Sequence, residues 1–139
     1  MKYSISIILA SLLFTACDSS VTESSLKNLN GYWEVQKVEF PDGSEKTLPP
    51  SETHDYYEFK QNKGFRKKVM PLVTGNYLVN DLKDEFVVVE KEGEYYMNYK
   101  TFLSAWSEQI KSIDKDQLVL ESEEHYLYYY KRPQTFSVK

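Results

Sequence analysis

Among 139 residues there are one cysteine, five glycines, five prolines and two histidines. A single cysteine excludes an intramolecular disulfide framework, and two histidines leave little from which to build a metal site. No apolar run reaches the roughly 20 residues of a permanent membrane-spanning helix. Positive charge is short as well: 17 Lys and Arg against 21 Asp and Glu give a net charge of -4. That balance argues against nucleic acid, whose phosphates call for a basic face. Catalytic templates are missing too: there is no Gly-x-Ser-x-Gly, no His-Glu-x-x-His and no phosphate-cradling glycine loop. The reading is of a protein that is not an enzyme and uses no cofactor.

What the chain has in abundance is aromatic side chains, with 12 Tyr, 7 Phe and 2 Trp. In so short a sequence these favour strands, where rings pack on a pleated surface. The length allows one domain, and removal of a targeting segment would leave about 110 residues, enough for one core.

The first residues carry such a segment. Met1-Lys2 is a short positive start, Ile5 to Phe14 is apolar apart from Ser and Ala, and Thr15-Ala16 are small residues before Cys17. The stretch Leu13-Phe14-Thr15-Ala16-Cys17 resembles the bacterial lipobox, with Phe14 in place of the usual Leu. The resemblance implies cleavage before Cys17 and acylation of its sulfur. Several acyl chains on one residue anchor stably where a single chain is marginal. The expected division is a lipoprotein signal peptide over 1–16, a lipidated cysteine and flexible tether over 17–25, and a folded domain over 26–139. The tether DSSVTESS is polar and would reach roughly 15 to 20 Å. The expected location is the bacterial cell envelope, on a membrane whose identity and leaflet the sequence leaves open.

In the folded part Leu26 and Leu29 have helical spacing behind a possible Ser25 cap. Gly31 to Phe40 is a strand whose residues Trp33, Val35, Val38 and Phe40 share a face only if a bulge lies near Gln36-Lys37. Pro49-Pro50 makes Ser44 to Thr53 the longest loop. Hairpins are expected between 55–60 and 65–70, and between 75–80 and 85–90, followed by strands over 94–101, 105–113, 117–121 and 125–131. A short helix is the alternative for Ala105 to Ile113. The sum is an all-β fold, an antiparallel up-and-down barrel of about eight strands, with a two-sheet sandwich as the alternative.

Gly31-Tyr32-Trp33 on the first strand, Gly75-Asn76-Tyr77 on a middle one, and Ile110-x-x-Ile113 before Leu118-x-Leu120 resemble the lipocalins, in particular the small lipocalin-like lipoproteins of Bacteroidetes-type bacteria. In that family a basic residue of the last strand covers the signature indole, which implies Arg132 or Lys131 over Trp33, with Gly31 completing the signature. The resemblance also implies a barrel that holds one small ligand or is filled by its own side chains.

Tyrosine offers apolar area with a polar tip. Tyr56, Tyr77, Tyr95, Tyr99 and Tyr128 are therefore the candidate ligand contacts, with Tyr126 and Tyr130 as further wall residues; core packing explains these rings equally well. His54 and His125 read as surface residues rather than metal ligands. Lys60, Lys63, Arg66, Lys67 and Lys68 gather on one hairpin, either as a contact for lipid headgroups or an acidic partner, or as solvated edge protection. Two functions follow: a membrane-anchored monomer that binds a small apolar or amphipathic molecule, or an envelope interaction module with a filled barrel that displays its loops to another protein.

Overall fold

The structure, a computed structural model, describes residues 21–134; Cys17 lies outside the described residues. A 3-10 helix, Glu23–Leu29, leads into ten strands: β1 Gly31–Glu39, β2 Glu45–Thr47, β3 His54–Lys60, β4 Lys63–Pro71, β5 Tyr77–Val79, β6 Asp84–Lys91, β7 Glu94–Lys100, β8 Ala105–Ile113, β9 Gln117–Ser122 and β10 Leu127–Lys131. Antiparallel pairing runs β10-β9-β8-β7-β6-β4-β3-β1, and β1 pairs again with β10. Eight strands thus close on themselves and leave no edge in the main wall. That closure decides for the barrel over the sandwich.

The bulge in β1 is real: the register with β10 shifts between Val35 and Lys37. It brings Val38 opposite Tyr128 after Val35 has faced Tyr130, so the strand keeps its apolar side inward through the bend. A second shift, between Ile110 and Ser112 on β8, does the same for Ile110 and Ile113. Ala105–Ile113 is strand throughout.

Several local expectations differ. The helix is capped by Thr22 rather than Ser25: the Thr22 side chain accepts from the Ser25 amide, and the Ser25 hydroxyl reciprocates at the Thr22 amide. Residues 75–80 and 85–90 do not form a hairpin. Instead β5 folds back on the end of β4, pairing Tyr77 to Val79 with Pro71 to Val69, while β6 pairs with the start of β4 over Lys63 to Arg66. The loop 44–53 contains the short strand β2, which pairs with β1 before the two prolines. His125 belongs to the β9–β10 turn, at φ 67°, not to the last strand.

The connections sort by length between the two ends of the barrel. Gln61-Asn62 and Glu92-Gly93 are two-residue turns with positive φ at both positions, as twisted hairpins require. With Asp114 to Asp116 they occupy one end, where the 3-10 helix inserts Leu26 and Leu29, 1% and 0% exposed. Trp33, Phe86, Met97, Ile110, Leu118 and Leu120 pack with those leucines. Trp33 Nε1 donates to Leu29 O at 3.0 Å. The Arg132 guanidinium lies 3.6 Å from the Trp33 ring centre and donates to the carbonyls of Lys115, Tyr32 and Asn28. This end is closed. The longer connections, 40–44, 48–53, 72–76, 80–83, 101–104 and 123–126, all lie at the other, open end.

Candidate binding cleft at the open end

Alternation decides what faces the interior. On β3, Asp55, Tyr57 and Phe59 point inward, and opposite them on β4 stand Lys68, Arg66 and Gly64. The hairpin cations therefore do not form one basic face: Arg66 and Lys68 line the barrel, while Lys60, Lys63 and Lys67 lie outside.

Above the apolar floor the interior is charged. Arg66 Nη2 lies 2.9 Å from Asp84 Oδ2, its Nη1 lies 3.3 Å from Glu108 Oε1, and the guanidinium sits 5.0 Å from the Tyr99 ring centre. Burial pushes the Glu108 carboxyl above the ordinary carboxylate range, with Arg66 pulling the other way. Lys68 Nζ is 2.6 Å from Asp55 Oδ1, an ion-pair distance, yet no donor is aligned on that oxygen. The buried Tyr57 hydroxyl also has no partner, and burial raises its phenol well above the usual value.

A cleft of about 630 Å³ opens over this network. Arg66, Lys68 and Asp84 form its base; Asn80, Leu82 and Lys83 form one lip and Thr101, Phe102 and Leu103 the other. It exists because β4 changes partner, from β6 at Lys63 to Arg66 to β5 at Val69 to Pro71. Between those stretches the wall is not zipped.

The five candidate tyrosines divide. Tyr95, Tyr99 and Tyr128 face inward, Tyr99 stacked on Trp106 at 4.9 Å with its hydroxyl on Met97 Sδ. Tyr56 and Tyr77 are outside the wall, which corrects their reading as pocket residues: they alternate with the inward Asp55 and Tyr57, or ride on the outer flap β5. Tyr77 stacks on Tyr32 at 4.1 Å, and Tyr56 packs on Tyr32 at 4.8 Å. The hydrogen bond from Tyr56 to Glu58, with burial, pushes its phenol up to about 12.

His54 is buried rather than on the surface, 5% exposed beneath the Tyr77 flap. Its Nε2 lies 3.9 Å from Glu34 Oε2 and its Nδ1 3.4 Å from the Tyr77 hydroxyl. Burial lowers its pKa, opposed by the charges of Glu34 and Asp55. His125 is exposed beside Glu121. No group of three metal-ligating side chains occurs among the described residues.

The family model of the lipocalin-like domain matches residues 29–120. The chain belongs to the lipocalin-like domain family. Solved structures similar to this lipocalin-like chain include a lipocalin-like protein from Bacteroides uniformis, 13% identical, covering 76% of this chain and 99% of its own at a TM-score of 0.46. Apocrustacyanin C2 is 14% identical, over 84% of this chain and 67% of its own, TM-score 0.49. Lobster apocrustacyanin A1 is 15% identical, over 79% and 63%, TM-score 0.45. No curated protein matches the sequence.

Lipocalin-like membership leaves the interior chemistry to be read from this chain. Arg66 stood out in the sequence only as one of the hairpin cations, and nothing tied it to Asp84 or Glu108. The available signal was parity: Glu108 shares a face with Trp106 and Ile110, and a carboxylate on an apolar face needs a cation opposite it.

Proposed function

We propose that this lipocalin-like chain is a lipid-anchored protein of the bacterial envelope that holds a small amphipathic molecule in its open-end cleft, acting as a binding protein rather than an enzyme. The observation carrying this reading is the cleft's two-part lining. Leu82, Phe102 and Leu103 are 77%, 102% and 88% exposed on its lips. Below them Lys68 and Arg66 stand at the base. Exposed rings and leucines gain by covering an apolar tail. Arg66 and Lys83 are held by Asp84, Glu108 and Glu85, which leaves Lys68, its side chain 64% exposed and not aligned on Asp55, as the cation open to an anionic head group.

The solid lower half of the barrel limits the tail. Leu26, Trp33, Met97 and Leu118 are at most 1% exposed, so the ligand lies across the mouth and not along the axis.

Decanoate and decyltrimethylammonium, titrated against the fluorescence of Trp106 beside Tyr99, test the reading. Decanoate is expected to bind and the cationic amphiphile to bind at least about tenfold more weakly, with Lys68→Glu reversing the preference. Absence of any response to decanoate, together with native mass spectra of host-purified protein free of retained molecules, would sink it. The second reading, an interaction module, is favoured by the same packed lower half and gains from that outcome.

A further inference from the structure

The ten large apolar side chains that stand exposed among the described residues all lie between Met70 and Leu103. Scattered exposed leucines are ordinary on any protein, whereas confinement to one sector is not. In the wall β4, β6 and β7 are consecutive neighbours, and β5 folds on β4. The exposed groups occupy the outer face of β6 at Val87 and Val89, the outer side of β5 at Val79, and the rim at Leu82, Phe102 and Leu103, while Leu78, opposite Met70, faces the cleft side.

The charges of the same sector differ from those of the whole chain. Outward positions, their turn and the adjoining rim carry Lys63, Lys67, Lys83, Lys91 and Lys100 against Asp81, Glu85, Glu92 and Glu94. Lys83 and Glu85 pair at 3.3 Å and cancel, and Glu94, which keeps its charge while accepting from the Tyr96 hydroxyl at 2.8 Å, stands opposite Lys91. On a chain of net charge -4 this flank carries one lysine more than it has acids.

We infer that the β4–β6–β7 flank rests on an anionic lipid surface, with Phe102 and Leu103 entering the bilayer interface. Apolar tips flanked by lysines suit that surface. The tips leave water among the acyl chains while the long lysine stems keep their ammonium groups among phosphates. A protein partner would call instead for a packed aromatic centre with little lysine. The inference stands whether or not the cleft takes a ligand. It adds that the cleft lips, Leu82, Phe102 and Leu103, meet the lipid surface, so an amphipathic molecule can enter without crossing water.

The test uses the full-length chain in vesicles with an environment-sensitive thiol probe at Leu103→Cys. The unsubstituted chain gives the background from Cys17, and Lys46→Cys on β2 serves as a second site. With about 30% phosphatidylglycerol in phosphatidylcholine the probe at 103 is expected to shift to the blue and to be quenched by nitroxide lipids, while the probe at 46 stays in water. High salt, pure phosphatidylcholine or the triple variant K63E, K67E and K100E is expected to remove the shift. A probe at 103 that remains in water on anionic vesicles overturns the inference. So does one equally buried in neutral vesicles and in the triple variant, because burial would then owe nothing to the lysines.

Discussion

Arg132 stands 3.6 Å above the ring centre of Trp33 while its three donor groups reach the carbonyls of Asn28, Tyr32 and Lys115. One side chain therefore joins the 3-10 helix, β1, the β8–β9 turn and the end of β10. Replacing Trp33 with Ala should destabilise the fold by about 3 to 5 kcal/mol through the cavity left among Leu26, Leu29 and Leu118. Arg132→Lys keeps the charge but loses the planar fork, and should cost about 1 to 3 kcal/mol. Denaturant unfolding measures both; a near-neutral Trp33→Ala would mean that the closed end is not a cooperative part of the fold.

Gly64 faces the interior between Phe59 and the ring of Phe86. A Cβ built there would stand 2.6 Å from Phe86 Cζ and would also strike the Glu58 carbonyl. Gly64→Ala should therefore destabilise by about 1 to 3 kcal/mol and disturb the parallel stack of Phe59 on Phe86. Near-ultraviolet circular dichroism would register the loss of aromatic packing. Backbone freedom is not at issue, since Gly64 is not among the glycines with positive φ.

Arg66 holds Asp84 and Glu108 apart inside the barrel. Arg66→Met leaves both carboxylates without their cation and should cost about 3 to 5 kcal/mol near neutral pH. Glu108, with its pKa raised in the fold, binds its proton more readily folded than unfolded, so its ionisation removes stability as pH climbs through the folded value. Glu108→Gln should consequently compare better with the parent at pH 7 than at pH 4. Thermal unfolding of both proteins at the two values checks the sign.

His54 carries the opposite slope. Its pKa is lowered in the fold, so the unfolded chain takes up the proton first, and stability is lost as pH falls below the ordinary value of 6.5. Glu34 and Asp55 reduce this effect without reversing it. His54→Phe should flatten the dependence between pH 7 and 5, and hydrogen exchange should locate the acid-sensitive amides on β5, whose Tyr77 lies against the imidazole.

Residues whose neighbours follow the period of a strand were legible before the structure. Trp33, Val35, Val38 and Phe40 called for a bulge, and the bulge is where that parity places it. The outline of an eight-stranded barrel followed from the same alternation. The partner exchange of β4 was not legible: Tyr77 to Val79 pair equally well, by propensity, with strands on either side, and only the three-dimensional path selects β4 over β6. The interior ion network was hidden for a related reason. Arg66 and Lys68 sit in a run of lysines that reads as solvated, and their inward direction depends on the register with Tyr57 and Asp55 across the hairpin. His54 was misplaced because burial there comes from the β5 flap, a distant piece of chain.

The separation of short turns from long connections also bears on how much change the protein tolerates. The two-residue turns with positive φ at both positions admit few sequences, and the helix plug and Arg132 are fixed at the same end. At the far end the loops 72–76, 101–104 and 123–126 contribute no side chain to the buried apolar core. Insertions and randomised sequences at those three sites should leave folding intact provided Gly75 and the positive-φ position of His125 are kept or given to glycine. The barrel is thus divided into a part that accepts almost no redesign and a part on which new binding surfaces can be selected.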